Sequence, residues 1–269
     1  MSLDFDCVIM NPPYDGNTHL KILNNVVEEF PDAEIVNLSP IRWLQDPLAE
    51  YKKASDFKRF PKIRERIEDL DEMGSVEAEQ LFGAAFSMDL GIYKLSKNGK
   101  GYQLKENKLL IKMVNRMTDN VKDHIVIDDL SGICLRVRKL TWGSGRTKED
   151  VLRIGFNLPK ELAFWTDKTN DITGETFAQY RAKHTNRGSE RDDIENVKFA
   201  TKEERQNYYD SWNTKTLRWM FGAITTDMAV RHKFLPWLGD YTKKWDDAAL
   251  REYFELTDEE WKEIEGTVK

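Results

Sequence analysis

Cysteine is scarce in this chain: Cys7 and Cys134 are the only two. One such pair cannot supply the disulfide framework of a small secreted scaffold. Histidine is nearly as rare. The four histidines, His19, His124, His184 and His232, share no metal-ligand spacing with each other or with the cysteines, so no metal site is expected. No apolar run approaches the roughly 18–20 residues that a membrane span needs. No basic stretch followed by an apolar one marks a secretory signal, and a cytoplasmic protein is expected. A basic excess is missing too: 41 Lys and Arg face 47 Asp and Glu, for a net charge of −6. That balance argues against wrapping nucleic acid by bulk charge. Nucleophile elbows, phosphate-binding P-loops, internal repeats and low-complexity tracts are also lacking. What remains is a chain of 269 residues with 40% hydrophobic and 11% aromatic content, enough for one large or two medium domains.

The most informative stretch is Asn11-Pro12-Pro13-Tyr14, at the end of the apolar run Phe5-Asp6-Cys7-Val8-Ile9-Met10. A short β-rich run closed by a turn signal reads as a buried strand leading into a loop. In that reading Cys7 serves packing. In open α/β sheets, ligand chemistry gathers outside the carboxyl ends of the strands. The residue types suit work on a nucleobase amine. The Asn11 side-chain oxygen can accept a hydrogen bond from an exocyclic amine, and the Pro12 carbonyl can accept a second. The prolines fix φ and hold both acceptors still. The Tyr14 ring can stack on a base drawn out of its helix. A helix over 17–29 follows, which is the context that such a motif requires.

The stretch from Phe5 to Leu23, FDCVIMNPPYDGNTHLKIL, resembles the catalytic motif of DNA methyltransferases that modify the amino group of adenine. In that family Asp, Asn or Ser precedes Pro-Pro and an aromatic residue, and an initial Asn or Asp usually goes with adenine. More of the chain is similar. Glu34 to Leu38 with Ser39-Pro40-Ile41-Arg42-Trp43-Leu44 looks like the next strand and its Pro-x-x-Trp-Leu exit. Glu79-Gln80-Leu81-Phe82-Gly83 and Asp89 to Leu95 resemble the late helix and the strand behind the target-base pocket. The segment from Phe234 through Trp245-Asp246 to Leu256-Thr257-Asp258-Glu259-Glu260 resembles the end of type II restriction–modification methyltransferases. The resemblance implies an α/β chain: a partial Rossmann-like methyltransferase sheet over 1–100 and a mixed α+β target-recognition region over 101–269. It implies methyl transfer from S-adenosylmethionine to a flipped adenine of double-stranded DNA. Asn11, Pro12, Pro13 and Tyr14 would be catalytic. Hydrogen bonds from the amine to Asn11 and Pro12 would turn the nitrogen lone pair toward the sulfonium methyl, so acceleration would come from positioning and electrostatics.

One family feature is not evident. The cofactor marker, a strand leading to Phe/Pro-x-Gly-x-Gly, normally precedes the catalytic motif, which here begins at residue 11. Val126 to Cys134 carries one glycine, and Trp142-Gly143-Ser144-Gly145-Arg146 carries two. Neither has the full strand–loop–helix frame, and a β-turn explains each. A separate chain or a preceding segment is therefore expected to carry the cofactor motif. The sheet edge left open would favour a homodimer.

The basic residues are clustered. Lys58 and Arg59 belong to a group with Lys52, Lys53, Lys62, Arg64 and Arg66, interleaved with Phe57 and Phe60. Arg136, Arg138 and Lys139 lie on a strand-like run, followed by Arg146 and Lys148. Arg181, Lys183, His184, Arg187 and Arg191 form a third group in a stretch rich in Gly, Ser, Thr and Asn, which reads as a phosphate-contacting loop. Each group reads equally as a solvated face. The acidic stretches, from Asp69 to Glu79 and after Asp246, would face away from DNA.

Helices are expected at 17–29, 47–55, 61–73, 76–84, 106–117 and 201–231, with two short ones in 246–266. Strands are expected at 5–10, 34–38, 88–95, 124–127, 133–137 and 151–156. Pro47 and Pro61 suit helix first turns, Asp15 and Asn17 read as turn and cap residues, and Thr257 with Glu260 matches a capping box. His19, one turn past the loop, could approach substrate but reads more often as a helix-surface residue, and Trp212 and Trp219 read as core. Two readings from other classes stand beside the enzyme: a DNA-binding specificity module or half-enzyme that needs a cofactor-binding partner, and an interaction protein that keeps the motif as structure.

Overall fold

The computed structural model describes residues 5–50, 55–84, 86, 88–117, 119–126, 131–138, 140–141, 152–153, 160–184, 194–225, 229–230 and 235–268. The chain is mixed α/β and divides into two compact units, Met1–Asn107 and Lys108–Lys269.

The first unit is built on a four-stranded sheet. β1 (Cys7–Met10) passes through α1 (Thr18–Glu29) to β2 (Glu34–Pro40), and the two strands are parallel, Val8 opposite Ile35 and Met10 opposite Asn37. Parallel neighbours need such a crossover, and a helix supplies it. The short helices α2 (Arg42–Gln45), α3 (Asp56–Arg59) and α4 (Pro61–Arg66) follow, then β3 (Ile67–Met73), α5 (Ser75–Phe82) and β4 (Leu90–Leu95). β4 inserts antiparallel between β2 and β3, giving the order β1-β2-β4-β3.

Leu20, Leu23 and Val27 of α1, spaced at helical period, meet Ile35, Tyr93 and Leu95 of the sheet and Phe57, Phe60 and Ile63 of α3 and α4. Val8 and Met10 pack on the same core. Ile9 points the other way and is 81% exposed. Beyond α4, Tyr102 and Leu104 also pack on this core.

Three sequence expectations are corrected here. β1 is an edge strand, not a buried one, and Cys7 is exposed. The helix expected over 61–73 stops at Arg66, because Ile67 begins β3. Ile67, Leu70 and Met73 mimic helical spacing. A bulge between Ile67 and Asp69 puts Ile67, opposite Leu95, and Leu70, opposite Tyr93, on one side of the sheet, while Met73, opposite Leu90, is on the other. Residues 47–50 form a turn where a helix over 47–55 is expected; 51–54 lie outside the described residues.

The second unit starts with α6 (Lys108–Asn115), β5 (Asp119–Asn120), a 3₁₀ turn at Val121–His124 and β6 (Ile125–Val126). β7 (Ile133–Arg138), β8 (Leu140–Thr141), α7 (Lys160–Ala163), β9 (Trp165–Thr166), β10 (Thr169–Asn170), α8 (Phe177–His184) and β11 (Ile194–Phe199) come next. The antiparallel order β10-β9-β7-β11-β6 makes a second sheet. α9 (Lys202–Ser211) and α10 (Lys215–Ile224) are separated at Trp212–Thr214, breaking the helix expected over 201–231. β12 (Ala229–Val230) then pairs with β8, and β13 (Pro236–Trp237) with β5. α11 (Asp247–Phe254) and α12 (Asp258–Thr267) close the unit, the latter under the full Thr257–Glu260 capping box. Trp212 and Trp219 are buried. Of the strand expected over 151–156 only Leu152 and Arg153 are described, and they are helical.

A buried cation organises the second sheet. Arg205 of α9 donates to the carbonyls of Cys134 and Trp165 and to the Asp171 carboxylate at 2.6 Å. Burial raises the Asp171 pKa, but Arg205, Thr166 and Lys202 outweigh it and the net shift is downward.

Two stability experiments follow from this packing. A Cβ at Gly91 would collide with Ile41 and Leu70, so Gly91→Ala should cost about 1–3 kcal/mol by overpacking, read by chemical denaturation. Asp171→Ala should cost about 3–5 kcal/mol, because it strands a buried guanidinium. The folded Asp171 binds protons less readily than the unfolded one. Its contribution should therefore persist above about pH 4 and fade as pH falls through its depressed pKa. Asp171→Ala should flatten that acid limb of the stability curve.

Candidate functional site

The loop Asn11–Asn17 leaves the carboxyl end of β1 and turns into α1. Gly16 supplies the tight turn at φ +54°, and the Thr18 N–H donates to the Asp15 carbonyl. Asn11 is exposed, Pro12 is buried, Pro13 is exposed and Tyr14 is half-buried. All four expected catalytic residues therefore sit together at one strand end. The Tyr14 hydroxyl lies 2.6 Å from Asn11 Oδ1 and 3.3 Å from the Leu38 carbonyl. Its ring packs against a small apolar wall of Met73, Ala78 and Leu90, with Leu38 and Phe86 beside it. Burial raises the Tyr14 pKa, so the phenol is a donor at neutral pH.

Pro12 explains why the Leu38 carbonyl is open to Tyr14. In the parallel ladder the Glu34 N–H donates to the Asp6 carbonyl. With Val8 opposite Ile35 and Met10 opposite Asn37, residues 6, 8 and 10 face β2. The next donor toward Leu38 would be the N–H of residue 12, and proline has none. Under the site, Asn37, Ser39 and Tyr93 form a buried chain, with Asn37 Nδ2 donating to Ser39 Oγ at 2.8 Å and Ser39 Oγ 2.6 Å from the Tyr93 hydroxyl. Desolvation raises the Tyr93 pKa, so it stays protonated.

His19 is buried, not on the helix surface, and its ring meets Tyr14 edge-on at 6.3 Å. Burial is the main cause that lowers its pKa, opposed by Asp56 and the Gly16 carbonyl and aided by Arg42. Asn17 makes no cap. Its Nδ2 donates to Asp56 Oδ1 at 2.9 Å, tying the loop to the start of α3. No local pattern announces that bond across 39 residues. Alternation along 34–40 could have put Leu38 on the Tyr14 side.

The expected DNA-contacting residues divide. Lys58 and Arg59 are exposed on α3, the helix that Asp56 ties to the loop. Their neighbours have structural tasks: Lys62 pairs with Glu28, Arg64 lies over Phe57, and Arg66 donates to carbonyls of the first unit. Phe57 and Phe60 are core. Arg136 is 4% exposed, against the expectation of a surface contact. Its guanidinium lies over Phe177 at 4.1 Å and near Trp165 and Tyr180, and desolvation lowers its pKa to about 10. Arg138 lies on β7, and Arg181 and Lys183 lie on helix α8 instead of a loop; Lys183 pairs with Glu175 at 2.6 Å. Arg146 and Arg187 lie outside the described residues, as do Gly143 and Gly145.

The remaining glycine candidate, Gly132, turns at φ +83° with its N–H on Asp167 and leads into a strand of an antiparallel sheet, not into a helix. Among the described residues no three His, Cys, Asp or Glu side chains could hold a metal, and no helix is long and apolar enough to cross a membrane. No protein-family model matches the chain, and no curated protein matches it.

Because burial holds His19 below its ordinary value, its ring proton signals should show it neutral as pH falls past about 6.5. The unfolded chain binds that proton first, so stability should decline with acid from there until the folded His19 titrates. NMR titration with parallel denaturation checks both.

Proposed function

We propose that Asn11–Tyr14 is the amine-binding part of a DNA adenine-N6 methyltransferase. The observation that carries this reading is the convergence of the Asn11 amide oxygen and the Tyr14 ring at the carboxyl end of β1, at the start of a β–α–β unit. The adenine amine donates one hydrogen bond to Asn11 Oδ1 and one to the Pro12 carbonyl, and the flipped ring stacks on Tyr14. Fixed acceptors orient the amine without a strong base, so positioning and electrostatics carry the rate. Lys58 and Arg59, on a helix tethered to the same loop, provide backbone contacts to double-stranded DNA. The finer architecture, a partial Rossmann-like methyltransferase sheet with a target-recognition region after it, belongs to the same proposal.

The described residues do not fit the methyl donor, S-adenosylmethionine. Gly132 leads into an antiparallel strand, Gly74 between β3 and α5 is a lone glycine, and Gly99-Lys100-Gly101 after β4 lies against the backbone of Glu65 and Arg66. No step is therefore assigned to the cofactor. One observation favours the second reading, a half-enzyme that works with a cofactor-binding partner. β1 is an edge strand, and its ladder register turns the backbone groups of Cys7 and Ile9 outward, ready to pair with another strand or a second copy.

Expressed with its genomic neighbours in a host lacking adenine methylation, the wild-type chain should mark DNA with N6-methyladenine. Asn11→Ala should fold and lower the rate about 10²–10³-fold. Near-normal marking by Asn11→Ala would sink the assignment. Calorimetry separates the two readings: micromolar uptake of S-adenosylmethionine by the chain alone means a self-contained enzyme, and no heat means half a site.

A further inference from the structure

We propose that the aromatic cage around Arg136 is a binding site for a small oxyanion of the phosphate type. The site lies within the second unit and does not rest on the adenine reading above.

Arg136 is a buried cation without a counter-charge among the described residues. Its guanidinium lies over Phe177 at 4.1 Å and near Trp165 and Tyr180 at 5.2 Å each. Rings attract the positive charge but supply no oxygen to its N–H groups. Nε and Nη1 are buried and meet no acceptor. Desolvation lowers the pKa only to about 10, so the group keeps its proton at neutral pH. Arg205, buried to a similar degree in the same unit, shows what is missing: it has the Asp171 carboxylate and two carbonyls. A buried cation and its buried donors both cost stability until an anion meets them.

The elements around the cage do not supply that anion. On the face of the sheet that holds Arg136, β7 and β11 also carry Cys134, Asn196 and Lys198, and β9 carries Trp165. α8, which brings Phe177 and Tyr180, has no acid along its length and carries Arg181 and Lys183. Glu175, just before α8, pairs with Lys183 at 2.6 Å. Directly across the ladder from Arg136, Asn196 is buried, and its Oδ1 also lacks a partner.

Cationic donors and an unmatched amide thus share one face. A tetrahedral oxyanion answers both. Its oxygens accept from the guanidinium and its charge balances the cation, which a bridging water cannot do. The Asn196 amide can meet it with either end. At 4% exposure the guanidinium is closed to a DNA backbone, so the ligand is a compact ion or the phosphate of a small molecule.

The test is calorimetric titration of inorganic phosphate into the intact chain, purified in chloride and held at constant ionic strength. Wild type should show one saturable site. Arg136→Met puts an apolar side chain among the rings and should fold, since no charge is then buried there. It should weaken phosphate binding about 10- to 160-fold, the loss of one charged hydrogen bond. Thermal melting gives a second reading: phosphate should raise the wild-type midpoint and leave that of Arg136→Met unmoved. Deoxyadenosine 5′-monophosphate identifies the source. Uptake tighter than that of free phosphate, and absent with deoxyadenosine, assigns the site to a nucleotide; weaker uptake assigns it to the free ion. No saturable uptake of phosphate by wild type overturns the proposal, as does equal uptake by Arg136→Met. If Arg136→Met does not fold, Asn196→Leu takes its place, and unchanged uptake there overturns the proposal.

Discussion

A missing N–H shapes the site more than any group that is present. The parallel pairing of β1 with β2 runs regularly until residue 12, where a proline cannot continue it. Two consequences follow at once. The strand stops, so the chain turns out of the sheet at the point where α/β sheets hold ligands. An acceptor on β2 is also released, and a side chain takes it up instead of backbone. Pro12 is buried, so this break in the ladder is fixed by packing. Asn11, Tyr14 and Leu38 owe their mutual geometry to it.

The sheet behind the loop is asymmetric. One face carries a continuous core of Leu20, Leu23, Ile35, Ile63, Tyr93 and Leu95. Among the described residues, the opposite face carries the small cluster around Met73, Ala78 and Leu90, with Ile9 and Ile92 exposed. Isolated exposed apolar residues are ordinary on proteins. Here they share a face with an open strand edge, a combination that soluble proteins usually shield. In the second unit two arginines go the other way and are buried, Arg205 among carbonyls and a carboxylate, Arg136 among aromatic rings. Charge counted along the sequence therefore overstates what its surface can offer a polyanion.

Local chemistry was legible where one element sufficed. Asn-Pro-Pro-Tyr after an apolar run placed the loop at a strand end, Pro61 opened a helix, and Thr257 with Glu260 formed its box. The helix expected over 61–73 ran past Arg66 into β3, where a bulge sets Ile67 and Leu70 at a helix-like spacing on one face. Burial of β1 was misread because periodicity reports the character of a segment, not the number of its neighbours. Arg136 showed the same limit: Leu135 and Arg136 are both buried, so alternation along β7 does not single it out, and the arrival of α7, α8 and β9 encloses its guanidinium. The bonds that join Asn17 to Asp56 and Tyr14 to Leu38 cross the fold, and nothing near them in the chain marks them.

Arg66 draws these pieces into one unit. From the end of α4 its guanidinium reaches the carbonyls of Val27 and Phe30 at the close of α1, Ala33 just before β2, and Ser96 just after β4. One planar cation thus ties the α1–β2 connection, the end of α4 and the chain after β4, three segments well separated in sequence. Loss of the guanidinium would remove a donor from all four carbonyls at once. The first unit should therefore melt as a single cooperative block, with amide exchange in α1, β2 and β4 governed by one common opening, so the loop at Asn11 inherits its rigidity from a side chain on the far end of a different helix.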